Sequence, residues 1–292
     1  MHECLICKSK NTVSNKTKVS KFLCSRMLDG KQKDTYLIYC KDCGFSYYDF
    51  RPSDEEMKKF YLGYRNEEYQ KQRQASECWY TPQINELIGK NTTEAKNREK
   101  NLTEIINKCV DLNKITNVLD YGGDMGQHIP HIFSDKKKYV FDISEVEPVE
   151  GVTALKDFSK INGFDFIMCS GLLEHISNPV EITERIISLM NKGGYLYVEI
   201  PFDSPFYTKK TDSLQFLFNK YYSLKNIIQY YIETKKENII KPMHEHINFF
   251  TLQAVNKLLS DLGLEIVYSD MKKIDFKWCK GKTISVLARK NI

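Results

Sequence analysis

The feature that most restricts the fold of this chain is a regular alternation of apolar strands and helices, which begins near Ile115. Runs of β-branched and aromatic residues predict seven strands, at residues 116–120, 138–142, 151–155, 164–170, 195–200, 264–268 and 283–288. Amphipathic helices are predicted over residues 179–190 and 251–262. Strands that alternate with helices imply a parallel sheet with right-handed crossovers, often closed by an antiparallel strand pair. The sequence therefore predicts an α/β domain.

A glycine-rich turn, residues 121–126, follows the first of these strands. Gly122 and Gly126 allow the backbone to approach a ligand closely, and open α/β sheets bind ligands beyond the carboxyl ends of their strands. Asp142 ends the second strand, about 20 residues after Asp120, a spacing that suits an acid bonded to a ribose diol. A helix is predicted to start over residues 127–133, with His128 and His131 on one face.

The turn has the order Asp-x-Gly-x-x-x-Gly and not the Gly-x-Gly-x-x-Gly of dinucleotide-binding domains. It resembles motif I of the class I S-adenosylmethionine (SAM) methyltransferases, as do residues 141–144, 169–175 and 193–201 in their corresponding places. The resemblance covers about residues 115–290. It implies a Rossmann-like, doubly wound seven-stranded sheet whose last strand is antiparallel, with SAM as the cofactor.

The resemblance also implies roles for cofactor residues. Asp120 and Gly122 flank the methionine part of SAM, and Asp142 holds the ribose. Asp157 follows the third strand, where the family often has an adenine contact; the alternative is a solvated loop carboxylate. Asp124 departs from the family's usual small residue, and its carboxylate repels that of SAM unless it turns toward the amino group.

Two Cys-x-x-Cys pairs, Cys4 with Cys7 and Cys40 with Cys43, precede this domain. Each pair puts two thiolates on one tight turn, and two such turns make the tetrahedral sulfur cage that Zn²⁺ prefers. Four protein ligands leave no open position, which predicts a structural zinc. The chain has nine cysteines and no secretion signal, which indicates a reducing, cytoplasmic setting.

Cysteine pairs joined to such a domain resemble the zinc-bearing methyltransferases of sugar and cell-surface glycan pathways. The resemblance implies a zinc ribbon over residues 1–52, a helical linker region over 53–112 and a methyltransferase domain over 113–292. In that family a tyrosine of the helix after the ribbon reaches the cofactor. Tyr64 stands in the corresponding segment, where a packed helix face is the alternative.

Candidate catalytic residues lie in two places. His175 ends the fourth strand, and His244-Glu245-His246 resembles the Tyr-His-Glu-His element of sugar C-methyltransferases, whose glutamate and second histidine act near the substrate. We predict His246, Glu245 and His175 as base and orienting groups. Structural roles, a helix cap and a cofactor-side contact, are the alternatives. His244 and His246 would need a third nearby ligand to bind a metal. Met243 replaces the family's tyrosine, which favours O-methylation.

The expected reaction is methyl transfer from SAM to a hydroxyl of a sugar, nucleotide-sugar or glycan-related phosphate in cell-surface polysaccharide biosynthesis. The alternatives are sugar C-methylation, a quinone or lipid acceptor, a nucleic-acid methyltransferase, and a non-catalytic docking module of the same fold. A net charge of +5 is too small to indicate a nucleic-acid partner.

The remaining expectations about partners concern membranes and the insertion at residues 202–243. No apolar run reaches the ~20 residues of a membrane span. The insertion is rich in Phe, Tyr and Lys. This composition fits a substrate lid, a core or dimer surface, or a contact with a membrane surface. Oligomeric state is left open.

Overall fold

The computed structural model describes residues 2–64, 66–77, 80–87, 92–143, 146–157, 163–206, 240–275 and 280–291. The strands are β1 (Thr12–Lys18), β2 (Asp34–Cys40), β3 (Ser46–Tyr48), β4 (Asn117–Tyr121), β5 (Lys137–Phe141), β6 (Val152–Ala154), β7 (Phe164–Ser170), β8 (Met190–Pro201), β9 (Asn248–Phe249), β10 (Leu264–Asp275) and β11 (Lys280–Lys290). The helices are α1 (Lys21–Met27), α2 (Asp54–Tyr61), α3 (Glu67–Ser76), α4 (Pro82–Leu87), α5 (Thr92–Cys109), α6 (Pro179–Ser188) and α7 (Leu252–Asp261).

A seven-stranded sheet in the order β10-β11-β8-β7-β4-β5-β6 forms the centre of the molecule. The five strands from β8 to β6 run parallel, and β11 runs antiparallel to both β8 and β10. The predicted α/β fold, with seven strands of which the last is antiparallel, is confirmed. Strand order reverses at β4, so the carboxyl ends of β4 and β7 border the crevice where such sheets bind ligands.

Helices cover both faces of this sheet. On one face Ile105 and Ile106 of α5 pack on Val118 and Phe166, and on the other α6 and α7 supply Ile186 and other buried side chains. Strands buried on both faces read as nearly continuous apolar runs, which is why β7 and β8 are so apolar. The covering helices begin at side-chain caps, Asn178 for α6 and Thr251 for α7.

A second sheet, in the order β1-β2-β3-β9, combines strands that are far apart in the sequence. Its first three strands belong to the N-terminal region, whereas β9 lies just before α7 and pairs with β3. The partly buried Arg51 side chain reinforces this contact by donating to the Ile176 carbonyl at 2.7 Å and to Asn248 Oδ1 at 2.8 Å. The cysteine-bearing region is therefore packed against the carboxyl-end loops of the main sheet.

One predicted element is wrong. Residues 127–133 do not form a helix; they form turns followed by a short 3-10 helix at His131–Phe133. Pro130 lies inside the predicted helix, where it lacks an N–H and its ring clashes with the preceding turn. His128 and His131 therefore do not share an α-helical face.

Two segments differ from the sequence-based expectation in extent. The helix after Asn178 ends at Ser188, and β8 begins at Met190 rather than at Tyr195. Gly193 and Gly194 therefore lie inside the strand. Of the insertion at 202–243, residues 207–239 lie outside the described residues. Its ends meet, because Phe206 and Ile240 form an antiparallel bridge. No helix among the described residues is long and apolar enough to cross a membrane.

Candidate active site and cysteine cluster

Asp120 lies at the carboxyl end of β4 with its side chain inside the protein. It is 2% exposed, and burial raises the pKa of this carboxyl to about 7, although the charge of Arg98 acts in the opposite direction. The Asp120 side chain folds against the backbone of Gly123. A Cβ at Gly123 would lie 2.2 Å from Asp120 Cγ, so this position accepts only glycine without a shift of the carboxylate.

The glycines of the turn bring three loops together. Gly122 and Gly126 have φ values of +78° and +72°, in the left-handed region that favours glycine. The Gly122 N–H donates to the Phe141 carbonyl at 2.7 Å, which ties the turn to the end of β5. A Cβ at Gly122 would lie 3.0 Å from Leu172 Cδ1, so the loop after β7 packs directly on the turn.

Asp142 follows β5 and faces the turn. Its Oδ2 accepts the backbone N–H of Asp124 at 2.9 Å, and Asp124 has a left-handed φ of +55°. Asp124 thus presents its backbone amide to Asp142, while its own carboxylate accepts a hydrogen bond from Gln127 at 3.4 Å. Beside Asp142, the apolar side chain of Ile143 is 63% exposed, a feature that the sequence reasoning missed.

A second group of titratable side chains lies on the other side of Leu172. We call Glu174, His175 and His246 the acceptor cluster. The His175 and His246 rings meet edge to face with centroids 4.8 Å apart, and His175 Nε2 lies 3.9 Å from Glu174 Oε1. His175 Nδ1 donates to the Glu245 carbonyl at 3.0 Å, because a carbonyl can only accept.

The two histidines differ in their charge environment. Burial lowers the pKa of His175, and the charge of neighbouring Glu174 only partly opposes this. Burial acts on His246 in the same direction, but the hydrogen bond to Asp203 and nearby carboxylates outweigh it and raise the pKa of His246. His246 Nδ1 lies 3.4 Å from Asp203 Oδ2. Burial raises the pKa of Asp203, yet His246 and Lys241 overcome this and lower it to about 2.

Glu174 was overlooked in the sequence, where only the histidine of Leu-Glu-His was considered. It is 3% exposed, and its Oε2 has no hydrogen-bond partner among the described residues. The backbone carbonyl of Glu174 accepts the N–H groups of Ile247 and Asn248 at 2.8 and 3.0 Å. This backbone contact brings the loop after β7 against the segment that carries His246.

A buried ion-pair network holds the segment on its other side. Arg73 of α3 is 5% exposed; its Nη1 contacts Glu245 Oε2 at 3.0 Å and its Nε contacts Glu77 Oε2 at 2.7 Å. Glu77 Oε1 lies 2.7 Å from His244 Nδ1. Tyr64 donates to Glu245 Oε1 at 3.3 Å. The carboxylate of Glu245 is therefore occupied by Arg73 and Tyr64, and its carbonyl by His175.

The four cysteines of the two pairs form one cluster. Cys4 Sγ lies 3.6 Å from Cys43 Sγ, Cys7 Sγ lies 3.5 Å from Cys40 Sγ, and all four sulfurs lie within 4.8 Å of one another. These separations are too long for disulfides, whose sulfurs lie about 2.05 Å apart. They approach the ~3.8 Å edge of a tetrahedron with Zn–S distances of about 2.3 Å.

Matching backbone turns shape the cluster. The N–H of Lys8 donates to the Cys4 carbonyl, and the N–H of Gly44 donates to the Cys40 carbonyl, each at 3.0 Å. Both donors have left-handed backbones, with φ of +59° and +73°. The donor set and the paired turns fit a four-thiolate metal site.

A family model described as a methyltransferase domain matches residues 94–269, which is more than half of the chain. The chain belongs to this methyltransferase family. The prediction of a class I SAM-dependent methyltransferase is confirmed. No curated protein matches the sequence.

Solved structures with similar folds include several methyltransferases. The 1,6-didemethyltoxoflavin-N1-methyltransferase of Burkholderia thailandensis, solved with its substrate and S-adenosylhomocysteine, is 15% identical, with a TM-score of 0.49 over 87% of this chain and 99% of its own. A SAM-dependent methyltransferase of Methanosarcina mazei is 16% identical, with a TM-score of 0.40 over 64% of this chain and 97% of its own. The magnesium protoporphyrin IX methyltransferase of Synechocystis PCC 6803, solved with S-adenosylhomocysteine, is 13% identical, with a TM-score of 0.41 over 68% and 83%.

The methyltransferase thus places its predicted site residues in three groups. Around the glycine turn are Asp120, Gly122, Gly126 and Asp142. Around the acceptor cluster are Tyr64, His175, Glu245 and His246. The third group is the set of four cysteines, and Asp157 lies exposed in the loop after β6. Arg73, Glu174 and Asp203 are the residues that sequence reasoning missed.

Proposed function

We propose that this methyltransferase transfers the methyl group of SAM to a hydroxyl of a sugar, nucleotide-sugar or glycan-related phosphate. One observation carries the proposal: a His246–Asp203 pair stands beside His175 and Glu174, whose loop packs on the glycine turn through Leu172. Methyl transfer to an alcohol needs a group that accepts the hydroxyl proton. A partly buried imidazole held by a carboxylate is suited to that task.

The cofactor side is proposed to bind SAM as the family resemblance implies. Asp142 accepts the ribose hydroxyls, and the exposed Ile143 beside it offers an apolar surface to the adenine. Asp120, whose pKa burial raises to about 7, becomes ionised when the ammonium group of SAM is near. The left-handed glycines leave room for the methionine part, and Asp157 remains a proposed adenine contact.

The acceptor side positions the nucleophile. When SAM is bound, it would supply a methyl group in line with the acceptor oxygen, and His246 would take the hydroxyl proton. Asp203 holds His246 by Nδ1, so that its other ring nitrogen can take the proton. Glu245 orients His175 through its backbone carbonyl. Tyr64 donates to Glu245 Oε1 and remains a proposed cofactor contact.

Zinc is the metal that the cysteine cluster would hold. Four thiolates fill its coordination shell, so the ion would stabilise the fold and take no part in methyl transfer. Reduced thiolates suit the cytoplasm, the location we propose. The cluster is continuous with the main core, because Cys4 and Cys40 pack in one apolar cluster with Phe250 and Ala254 of the α7 region.

The preference for oxygen over carbon acceptors rests on Met243. This residue stands where the sugar C-methyltransferases have a tyrosine, and its side chain is fully buried. Its backbone forms a bridge to Val19, which holds the side chain in the apolar cluster that the N-terminal sheet forms with α1 to α3. The position therefore supplies no phenol to a carbanion.

The test is incubation with labelled SAM and a panel of nucleotide-linked sugars, read by mass spectrometry. We expect a mass gain of one methyl group on an oxygen, lost in His246→Ala and kept in His131→Ala, a change at an exposed histidine. Label on carbon would favour sugar C-methylation. Turnover unaffected by His246→Ala together with His175→Ala would overturn the base assignment. A failure to bind SAM in calorimetry would instead indicate a docking module.

A further inference from the structure

The acceptor cluster has the composition of a metal site, separate from the cysteines. We infer that Glu174, His175 and His246 bind one divalent transition-metal cation. Two imidazoles and one carboxylate form the donor set of open, three-ligand sites for such cations. Binding of the cation follows from the cluster itself, whereas its role toward the acceptor rests on the proposed function.

Distances within the cluster bring the donors close to a coordination sphere. One ligand atom from each residue lies within 4.8 Å of the other two, and His175 Nε2 is 3.9 Å from Glu174 Oε1. Around a cation with bonds of about 2.1 Å, neighbouring ligand atoms lie roughly 3.0–3.4 Å apart. The donors need to close by about 0.5–1.8 Å. Side-chain rotation can supply this, most easily at the partly exposed His246.

The hydrogen bonds behind the histidines match those of metal ligands. A ligating histidine usually donates its second N–H to a carbonyl or carboxylate, which fixes the lone pair on the other nitrogen. His175 donates from Nδ1 to the Glu245 carbonyl, which leaves Nε2 as the acceptor on the side of Glu174. His246 Nδ1 lies against the Asp203 carboxylate. Both supporting oxygens are therefore in place.

The carboxylate of Glu174 supplies the independent observation. It is 3% exposed, and among the described residues its Oε2 has no hydrogen-bond partner. A buried carboxylate oxygen without a partner is costly, and a cation in the cluster would satisfy it. His244 does not belong to the cluster, because its Nδ1 lies against Glu77 Oε1. The partners of His246 are instead Glu174 and His175.

Three protein ligands leave coordination positions open. The loop that carries Glu174 and His175 packs on the glycine turn through Leu172, and we place an open position on the side of this turn. A hydroxyl oxygen of the acceptor is the ligand that we assign to it. While the cation is bound, His246 would be its ligand and not the proton acceptor. The cation would hold the acceptor oxygen for attack on the methyl group, and the hydroxyl proton, made more acidic by the cation, would pass to solvent.

Manganese provides a selective probe, because hard Mn²⁺ prefers nitrogen and oxygen donors over the thiolates that hold zinc. The full-length, zinc-loaded protein is titrated with Mn²⁺ without SAM or acceptor, and free Mn²⁺ is followed by electron paramagnetic resonance. We expect one Mn²⁺ bound per chain. Pulsed spectra should show nitrogen coupling from histidine, a readout that needs no variant.

Variants locate the site. Glu174→Gln and His246→Ala should each weaken Mn²⁺ binding at least ~10-fold. Glu265→Gln and His131→Ala, at exposed positions, should bind as wild type. No stoichiometric Mn²⁺ in the wild type, bound Mn²⁺ without nitrogen coupling, or unchanged affinity in Glu174→Gln would overturn the inference. Mn²⁺ binding in a chain that methylates no hydroxyl would leave the metal site standing and overturn the proposed function instead.

Discussion

The proposed cofactor side and the proposed acceptor side of this methyltransferase are built in different ways. The cofactor side uses residues within one stretch, from Asp120 to Asp142, that two neighbouring parallel strands bring together. The acceptor side draws on Arg73 of α3, the loop after β7, the end of β8 and the segment before β9. The cofactor side is formed by residues close in sequence, whereas the acceptor side depends on the packing of distant segments. A mutation far from either side should therefore affect SAM binding and methyl transfer unequally.

The largest effect is expected from loss of a cysteine ligand. Cys40→Ser leaves an incomplete thiolate cage at the end of β2, next to the strand that pairs with β9. Structural zinc contributes on the order of 10 kcal/mol to the folding of small sites, so the N-terminal sheet should loosen. Methyl transfer should fall more than ~100-fold, because the His246 segment adjoins β9.

The control for this prediction is Cys109→Ser, a partly exposed cysteine at the end of α5. Zinc content by mass spectrometry and SAM affinity by calorimetry are measured in parallel. If the two sides are separable, Cys40→Ser loses zinc and turnover but retains SAM binding within ~3-fold. Equal loss of SAM binding would show that the two sides form one cooperative unit.

A direct change on the acceptor side ranks second. His246→Ala should lower kcat by about 10²–10⁴-fold, the usual contribution of general base catalysis, and leave SAM affinity unchanged. Asp203→Asn removes the carboxylate that supports His246 and should give a smaller loss. Single-turnover kinetics with labelled SAM measures both. A larger loss in Asp203→Asn than in His246→Ala would contradict the proposed order of roles.

On the cofactor side, Gly123→Ala should produce the opposite pattern. The added Cβ would lie 2.2 Å from Asp120 Cγ, so the carboxylate or the turn has to move. Overpacking of this kind costs about 1–3 kcal/mol, and SAM affinity should fall by ~10-fold or more. Calorimetry with SAM tests it, and unchanged affinity would show that Asp120 does not limit binding.

The smallest effect concerns pH. Burial raises the pKa of Asp120 from 3.8 to about 7, so the folded state retains this proton when the unfolded state has lost it. The proton on the buried Asp120 therefore carries no cost below about pH 4, and the free energy of unfolding falls as pH rises toward 7. An asparagine at this position does not ionise, so Asp120→Asn does not show this fall. The variant should therefore gain stability relative to wild type between pH 5 and 8 by on the order of 2 kcal/mol.

Denaturant unfolding at pH 5 and pH 8 without SAM measures this difference. The same difference at both pH values would mean that Asp120 titrates near its ordinary pKa and is not under strain in the empty pocket.

The contrast between the sides also explains what the sequence could predict. The strands, the glycine turn and Asp142 follow from short-range periodicity and spacing, and the parallel sheet follows from the α/β rules. Asp203, Arg73 and Glu174 carry no local signal, because their roles arise only when distant segments pack. The Arg73–Glu77 spacing predicts a helix-surface ion pair, yet here it is buried and extended to Glu245.

Other misses have local causes. Pro130 is a signal against the predicted helix at 127–133, because proline lacks an N–H and its ring clashes with the preceding turn. β1 and α1 were missed because the sequence between the cysteine pairs is mostly polar; β1 has alternate residues exposed. The short strand β9 has two residues and exists only because β3 offers it an edge.

The most direct test of the central claim is calorimetric titration of SAM into wild type, Asp142→Asn and His246→Ala. The account predicts that Asp142→Asn loses about 100-fold in affinity, since charged hydrogen bonds to the ribose are worth about 1.5–3 kcal/mol each, while His246→Ala binds as wild type. Wild-type affinity in Asp142→Asn would contradict the placement of the cofactor at the glycine turn.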